Sequence, residues 1–207
     1  MPGEVRRIYV EKQSGFDVEA RGLLTEFKQN LGVSGLTAVR IINRYDIAGL
    51  TEEEYAKSRN TIFAEPNVDK VYDETFPFEA NEMVFAMEYL PGQYDQRADS
   101  AAQCIQILTQ KERPKLTSGK VIVLSGVVSE AEFNRIKAYC INPVEAREAM
   151  LAKPDDLELE TEMPPDVAVL TGFTGKRPEE LRRLYEELGL AMNYEDFAFC
   201  QQYFRDS

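Results

Sequence analysis

The same landmarks occur twice in this chain of 207 residues, and any fold of the chain has to accommodate both copies. An aromatic residue followed by Asp17 recurs as an aromatic residue followed by Asp95, and the segment TEEEY that begins at Thr51 recurs as SEAEF at Ser129. The step along the chain from Asp17 to Asp95 has the same length as the step from Thr51 to Ser129. Because two separate landmarks share one spacing, we predict a tandem duplication.

The repeat divides the chain into five predicted segments. The first repeat covers residues 1–75 and the second covers 83–151, with a short connector over 76–82. An acidic linker that contains prolines follows over 152–164, and a helical linker domain occupies 165–207. This last segment is small for burying its own apolar faces, so we expect the chain to be part of a longer protein.

Each repeat is predicted to contain a strand, a helix, a second strand and a capped helix in that order. Partly alternating apolar residues predict strands over 5–12, 37–47, 68–74, 83–90 and 121–128. Apolar residues at helical spacing predict helices over 17–31, 51–63, 98–108 and 129–140. Thr51 with Glu54, and Ser129 with Glu132, form capping boxes at two helix starts. We therefore predict an α+β fold in which an antiparallel sheet packs against helices.

The predicted helices present apolar residues to the protein interior. In the second repeat these include Leu108, Phe133, Ile136 and Cys140. In the last segment they are Leu181, Leu184, Tyr185 and Leu188 in one helix, and Phe197, Cys200 and Phe204 in another that Asn193 caps.

Charge and composition exclude several classes of function. The net charge is −12, which does not attract nucleic acid or anionic lipid. The chain has no histidine, so it lacks the usual general base near neutral pH and the commonest zinc ligand. Its N-terminal residues lack the apolar core of a signal peptide, and we expect a cytoplasmic protein without a membrane segment.

Asp95 and Asp99 are candidates for a pair of catalytic or magnesium-binding carboxylates. The simpler interpretation is that each stabilises the start of a helix, and the recurrence of the pattern at Asp17 favours it. Pro91-Gly92 can form a phosphate-binding turn, but a single glycine favours an ordinary tight turn. None of these residues is predicted to be catalytic or to bind a cofactor or metal.

Residues 170–177 contain glycines and a lysine, but they lack the spacing of a phosphate-binding Walker motif. We predict a surface turn there. Arg177, Arg182 and Arg183 can meet an anion or an acidic partner, although a solvated helix face is the commoner outcome.

The three cysteines, Cys104, Cys140 and Cys200, are far apart and have no metal-binding spacing. Without a histidine to activate them, we predict that they are reduced thiols packed on apolar helix faces. Asn142-Pro143 is predicted to stop the helix before it.

Three longer runs resemble one enzyme family. The runs GLTAVRIINRYDIAGLTEEEY, EYLPGQYDQRADSAAQC and KAYCINPVEAREA resemble the N-terminal region of the large, single-chain form of phosphoribosylformylglycinamidine synthase. The resemblance implies a ligase of purine biosynthesis that converts formylglycinamide ribonucleotide to formylglycinamidine ribonucleotide with ATP, magnesium and glutamine. It covers essentially the whole chain.

The same resemblance implies how the chain is built. The family's first domain is similar to a dimer of the small S subunit found in multi-chain forms, and a helical linker domain follows. The synthetase motif that contains histidine and the glutaminase Cys-His-Glu triad are absent here, so no catalytic residue is carried over. The implied role is to bridge the synthetase and glutaminase domains of the same polypeptide, so that ammonia passes between them in register.

Two other functions stay open on the sequence. One is a module that senses small molecules such as amino acids, since duplicated units of this type often bind ligands between copies. The other is an enzyme that acts alone through Asp95 and Asp99.

Overall fold

The computed structural model describes residues 4–158 and 166–206. The chain divides into two compact units, Met1–Leu159 and Glu160–Ser207. Within the described residues the fold is α+β, with one six-stranded antiparallel sheet and six α-helices. Residues 159–164 of the predicted acidic linker lie outside the described residues.

The first unit contains all six strands and four of the helices. Its elements are β1 (Arg6–Lys12), α1 (Val18–Gln29), β2 (Leu36–Ala48), α2 (Glu52–Ser58), a π-helix (Arg59–Phe63), β3 (Asp69–Asp73), β4 (Met83–Tyr89), α3 (Gln96–Thr109), β5 (Lys115–Gly126), α4 (Glu130–Cys140) and β6 (Ala146–Ala149). The strands lie in the order β3-β1-β2-β5-β4-β6, and each neighbouring pair is antiparallel.

The two longest strands, β2 and β5, pair at the centre of the sheet. Their ladder runs from Leu36 opposite Gly126 to Ala48 opposite Lys115, with a shift in register near Leu36. We call this ladder the seam, because it joins the half of the sheet that precedes the connector to the half that follows it.

All four helices of this unit pack on one face of the sheet. Side chains alternate between the two faces along a strand, so Val39, Ile41, Tyr45 and Ile47 point to the helices. One apolar cluster joins α1 to α4, where Phe27 and Ile136 are fully buried. A second joins α2, the π-helix and α3. Each cluster therefore combines helices from both halves of the sheet.

The other face of the sheet is covered by irregular chain. Ile42, Val121 and Val123 are buried there with Tyr9 and partly buried Phe76, which belongs to the connector. The rings of Tyr9 and Phe76 meet edge to face at 4.8 Å between centroids. The connector thus lies across the sheet as it passes from β3 to β4.

The structure confirms the two predicted capping boxes and corrects the predictions for one strand and for one helix residue. Both capping boxes are present, at Thr51 and Ser129. The strand β6 was missed, because AREA has little strand propensity and is held by its pairing with β4. The predicted inward position of Leu108 is wrong, since its side chain is 42% exposed.

The second unit is a helical pair with an ordered turn. A 3₁₀ turn (Phe173–Gly175) leads into α5 (Pro178–Leu188), and α6 (Tyr194–Asp206) follows. Leu181 and Phe197 are buried, and the Asn193 side chain accepts a hydrogen bond from the amide of Asp196.

Two predictions for this unit are wrong. Leu188 and Phe204 were expected to face inward but are exposed. Gln201 is buried instead, and its amide nitrogen donates to the carbonyl oxygens of Phe173 and Lys176. In the part of the chain that the structure describes, no helix is long and apolar enough to cross a membrane.

Candidate functional site

A buried network of charged side chains lies on the sheet face opposite the helices. Arg7 of β1 and Asp46 of β2 are directly paired across the sheet, and Arg44 lies two residues before Asp46 on the same face. All three are at most 4% exposed. Arg7 Nε and Nη2 donate to the two carboxylate oxygens of Asp46 at 2.6 and 2.8 Å. This bidentate ion pair is among the strongest interactions that an arginine and a carboxylate can form.

Arg44 carries the network across the seam. Its Nη2 donates to Glu88 of β4 at 3.0 Å, and Arg147 of β6 pairs with the same carboxylate at 2.8 Å. Gly119 of β5 lies opposite Arg44 in the seam. A Cβ atom at Gly119 would lie 3.3 Å from Arg44 Nη2 and 2.8 Å from the carbonyl oxygen of Met87. Because Gly119 has no side chain, the guanidinium of Arg44 has room beside it.

The environment of Arg7 favours its charged form. Burial lowers the pKa of Arg7, but hydrogen bonds and charge attraction from Asp46 outweigh it, so the pKa is raised above its ordinary value. Arg44 Nε is buried without a hydrogen-bond partner among the described residues, and it lies 3.6 Å from the carboxylate of Asp46. A buried charge network of this kind fixes geometry more than it adds stability.

The network also holds the segment that follows β6. Arg7 Nη1 donates to the carbonyl oxygen of Leu151 at 2.6 Å, and Arg44 Nη1 donates to that of Met150 at 2.9 Å. Lys153 pairs with Glu74, which lies just after β3, at 2.7 Å. We call residues 150–158 the strap. The strap continues from β6 of the second half, and the two buried arginines that bind its backbone fix it to β1 and β2 of the first half.

A second charge cluster on the same face lies within the first half. Arg40 donates through Nε and Nη2 to both carboxylate oxygens of Glu11 at 2.7 and 2.8 Å, and Tyr72 donates to Glu11 at 3.1 Å. Arg40 Nη1 also donates to the carbonyl oxygen of Pro77 in the connector. Hydrogen bonding to Glu11 raises the pKa of Arg40. The connector and the strap are therefore both held by arginines of β2.

Asp95 and Asp99 have roles in the structure at the start of α3. Asp95 accepts hydrogen bonds from the amide of Ala98 at 2.9 Å, and from the amide and hydroxyl of Ser118 at 2.7 and 2.8 Å. Asp99 accepts from Tyr94 at 2.9 Å and pairs with Arg113. The hydrogen bond from Tyr94 and the charge of Arg113 lower the pKa of Asp99. These contacts agree with the interpretation of both residues as supports of a helix start.

The predicted turns are ordinary turns. The carbonyl oxygen of Leu90 accepts from the amide of Gln93, and Gly92 between them has φ of +88°, which glycine adopts without strain. In the second unit, the guanidinium of Arg182 lies 4.1 Å from the ring centroid of Tyr194. Arg177 stands at the N-cap position of α5, where its guanidinium pairs with Glu180 at 2.9 Å and its backbone amide donates to the same carboxylate. The carbonyl oxygen of Asn142 accepts from two amides where the chain turns after α4.

The three cysteines are free thiols in different surroundings. Cys140 is half-buried, and burial together with the charge of Glu26 raises its pKa to about 11. The prediction that all three pack on apolar faces is wrong for Cys104, which is exposed. Within the described ranges, no group of three or more Cys, Asp, Glu or His side chains is placed to hold a metal ion.

Sequence reasoning missed Arg7, Arg44 and Asp46. A signal was present, because Arg44 and Asp46 alternate with Tyr45 and Ile47 and must therefore share the opposite face of a central strand. Neither a scan against protein-family models nor a search of curated proteins finds a match for this chain.

Proposed function

We propose that this chain is the N-terminal scaffold and linker region of a phosphoribosylformylglycinamidine synthase, and that it holds the synthetase and glutaminase domains of that polypeptide in register. Catalysis, and the binding of ATP, magnesium and glutamine, belong to those other domains. The three runs of sequence described above are the basis for the family.

The observation that carries the proposal is the symmetric order of the strands. In the half β3-β1-β2, the first strand in the chain, β1, lies beside β2 of the seam. In the half β5-β4-β6, the first strand in the chain, β4, lies beside β5 of the seam. A fused dimer of an S-like subunit requires this matching arrangement. The pairing of Ile8 with Tyr45 recurs at one common spacing as the pairing of Phe85 with Ile122. The start of α1 at Val18 recurs as the start of α3 at Gln96, at the spacing that separates Asp17 from Asp95. These recurrences support a repeat that extends from the sequence to the pairing of the strands.

The charge network suits a spacer. Arg44 binds Glu88 across the seam and the carbonyl oxygen of Met150 in the strap. A spacer that guides ammonia between two sites has to keep their separation constant, because ammonia lost to water is protonated and unreactive. A sheet closed at its seam by paired strands and by a buried ion network provides such rigidity.

A reconstitution experiment tests the proposal. Separately produced synthetase and glutaminase domains are assayed for synthesis with glutamine or with ammonium chloride as the nitrogen source. We expect addition of this chain to raise the glutamine-dependent rate much more than the ammonium-dependent rate. Equal glutamine-dependent rates with and without the chain would contradict a bridging role, and turnover by the chain alone would contradict a scaffold without catalytic residues.

A further inference from the structure

The helix α3 has a stretch without charge that the scaffold role does not explain. Residues 100–110 include no Asp, Glu, Lys or Arg, although these four residue types make up 29% of the chain. Within the stretch, Ile107 is 70% exposed and Leu108 is 42% exposed, and Cys104 is exposed one turn earlier. Depletion of charge around exposed apolar side chains is typical of the centre of a protein interface.

The exposed residues of this stretch share one side of the helix. Ser100, Gln103, Cys104 and Ile107 follow one another at helical spacing, and all four are exposed. We call these four residues the α3 face. The hydroxyl of Ser100 and the amide of Gln103 each donate and accept hydrogen bonds, so the same groups on a second copy of the chain can satisfy them.

The matching helix of the first half does not share this property. α1 corresponds to α3 in the repeat, and its exposed residues include Glu19, Arg21, Glu26 and Lys28. These charged side chains suit contact with water. The uncharged surface therefore belongs to one half of the repeat, although both halves place a helix at this position.

Unused charges of opposite sign lie near the two ends of the α3 face. Arg97 precedes the face, and its guanidinium makes one side-chain hydrogen bond, to the hydroxyl of Tyr45 at 3.2 Å. Glu112 follows the face, and within the described residues it has neither a hydrogen bond nor an ion pair. Two α3 helices that lie antiparallel would bring Arg97 of each copy toward Glu112 of the other, and their helix dipoles would also be opposed favourably.

The other charges at these ends are already neutralised. Lys111 pairs with Glu54 at 2.6 Å, and Asp99 pairs with Arg113. Each copy has a net charge of −12, so two copies repel each other where acidic surfaces meet. A face without charge, with an unused cation at one end and an unused carboxylate at the other, is a surface on which a second copy can dock.

We propose that the α3 face binds the α3 face of a second copy of this chain, and that the two copies form an antiparallel dimer with twofold symmetry. Such an interface uses the same patch on both copies and has to be complementary to itself. Arg97 of each copy pairs with Glu112 of the other, and Ile107 of each packs beside Cys104 of the other. Cys104 lies about midway between Arg97 and Glu112, so the two Cys104 side chains meet near the twofold axis. This dimer does not depend on the scaffold role.

Analytical ultracentrifugation of the full chain tests the proposal. Protein purified without unfolding is measured from low micromolar to submillimolar concentrations. We expect a reversible equilibrium in which the dimer fraction rises with concentration and falls again on dilution. A chain that stays monomeric over the whole range would overturn the proposal.

A matched pair of variants locates the interface. Ile107→Glu places two carboxylates close together at the centre of the dimer and should weaken association at least about tenfold. Val18→Glu makes the same change of charge on α1, at a residue that is 68% exposed, and should associate as the wild type does. Circular dichroism confirms that both variants are folded. Equal association of folded Ile107→Glu and wild-type protein would overturn the assignment.

Oxidation tests the antiparallel arrangement. Copper phenanthroline, added at a concentration where the dimer is populated, should remove two electrons and two protons from a pair of Cys104 thiols and join the copies by a disulfide. Cys104→Ser should prevent this covalent dimer, whereas Cys200→Ser should not. A covalent dimer that persists in Cys104→Ser, or its absence from the oxidised wild-type dimer, would contradict the placement of Cys104 at the axis.

Discussion

Two aspartates at matching positions in the two halves, Asp17 and Asp95, make different contacts. Asp95 and Asp17 both precede a helix, yet Asp95 accepts three hydrogen bonds from two segments, whereas Asp17 accepts one from the amide of Gly15 and pairs with exposed Arg21. Asp95 thereby ties α3 to β5 beneath it. How much an aspartate at a helix start contributes to stability therefore depends on whether its side chain also bonds to a second element.

This difference predicts unequal costs for the same substitution. Asp95→Ala should lower the free energy of unfolding by about 2 kcal/mol, because it removes a cap and a link to Ser118. Asp17→Ala should cost about 0.5 kcal/mol or less, because its side chain makes no capping bond to α1. Urea unfolding of the two variants measures both values. Equal costs would contradict the link between α3 and β5.

Glu54 predicts how the start of α2 responds to acid. A hydrogen bond from Lys111 and two from Thr51 lower the pKa of Glu54 from 4.5 to about 2. The stabilisation is complete above pH 4.5 and is lost as the pH falls toward about 2, since protonation removes the charged acceptor. The stability difference between wild type and Glu54→Gln, measured by urea unfolding, should shrink over this range. A difference that does not change with pH would contradict this role.

At the scale of the elements, the sequence was sufficient to predict those features that depend on residues close together in the chain. Thr51 and Ser129 begin helices because the residues that complete their capping boxes are three positions away. β6 has no such signal, and Ala146 and Ala149 are in a strand because β4 provides the partner. Leu108 follows the helical spacing but lies near the end of α3 and is exposed. Which turn of a helix is covered depends on tertiary packing.

Phe133 tests the packing of α4 against the sheet. Its ring is 9% exposed and meets the ring of Phe85 at 5.7 Å between centroids. Phe133→Asp should destabilise the first unit by about 4 kcal/mol or more, because a charge replaces a buried ring. Lys137 lies nearby, but it already pairs with Glu148 and so does not offset the new negative charge.

The matched control at this position is Phe133→Leu, which keeps the site apolar and should cost about 1.5 kcal/mol. Thermal and urea unfolding of the two variants give the comparison. Similar losses from both substitutions would show that α4 does not depend on an apolar contact here.

At the scale of the whole molecule, the sequence predicted two similar halves but not what joins them. The repeat is predicted from helix starts, whereas the paired strand positions recur at a slightly different spacing, so the sequence could not show which strand residues correspond. Arg7 and Asp46 are far apart in the chain, and only the pairing of β1 with β2 brings them together.

A double-mutant cycle tests the buried network. Arg7→Met should cost about 4 kcal/mol, because it leaves Asp46 buried without its main partner. Arg7→Met combined with Asp46→Leu should recover most of this loss, since an apolar pair can replace a buried ion pair. Urea unfolding of both single variants and of the double variant measures the coupling energy. Additive losses would contradict a direct interaction between the two side chains.

The seam has a consequence for how the chain folds. We expect β2 and β5 to pair late in folding, because β3, the connector and β4 lie between them in the chain and contacts of large sequence separation form slowly. Until then each half presents an open strand edge that fits the complementary half of any other copy. Two chains that refold together can therefore exchange halves and form a swapped dimer with the same strand pairs. Refolding at rising protein concentration should increase this dimer, which size-exclusion chromatography separates from the monomer.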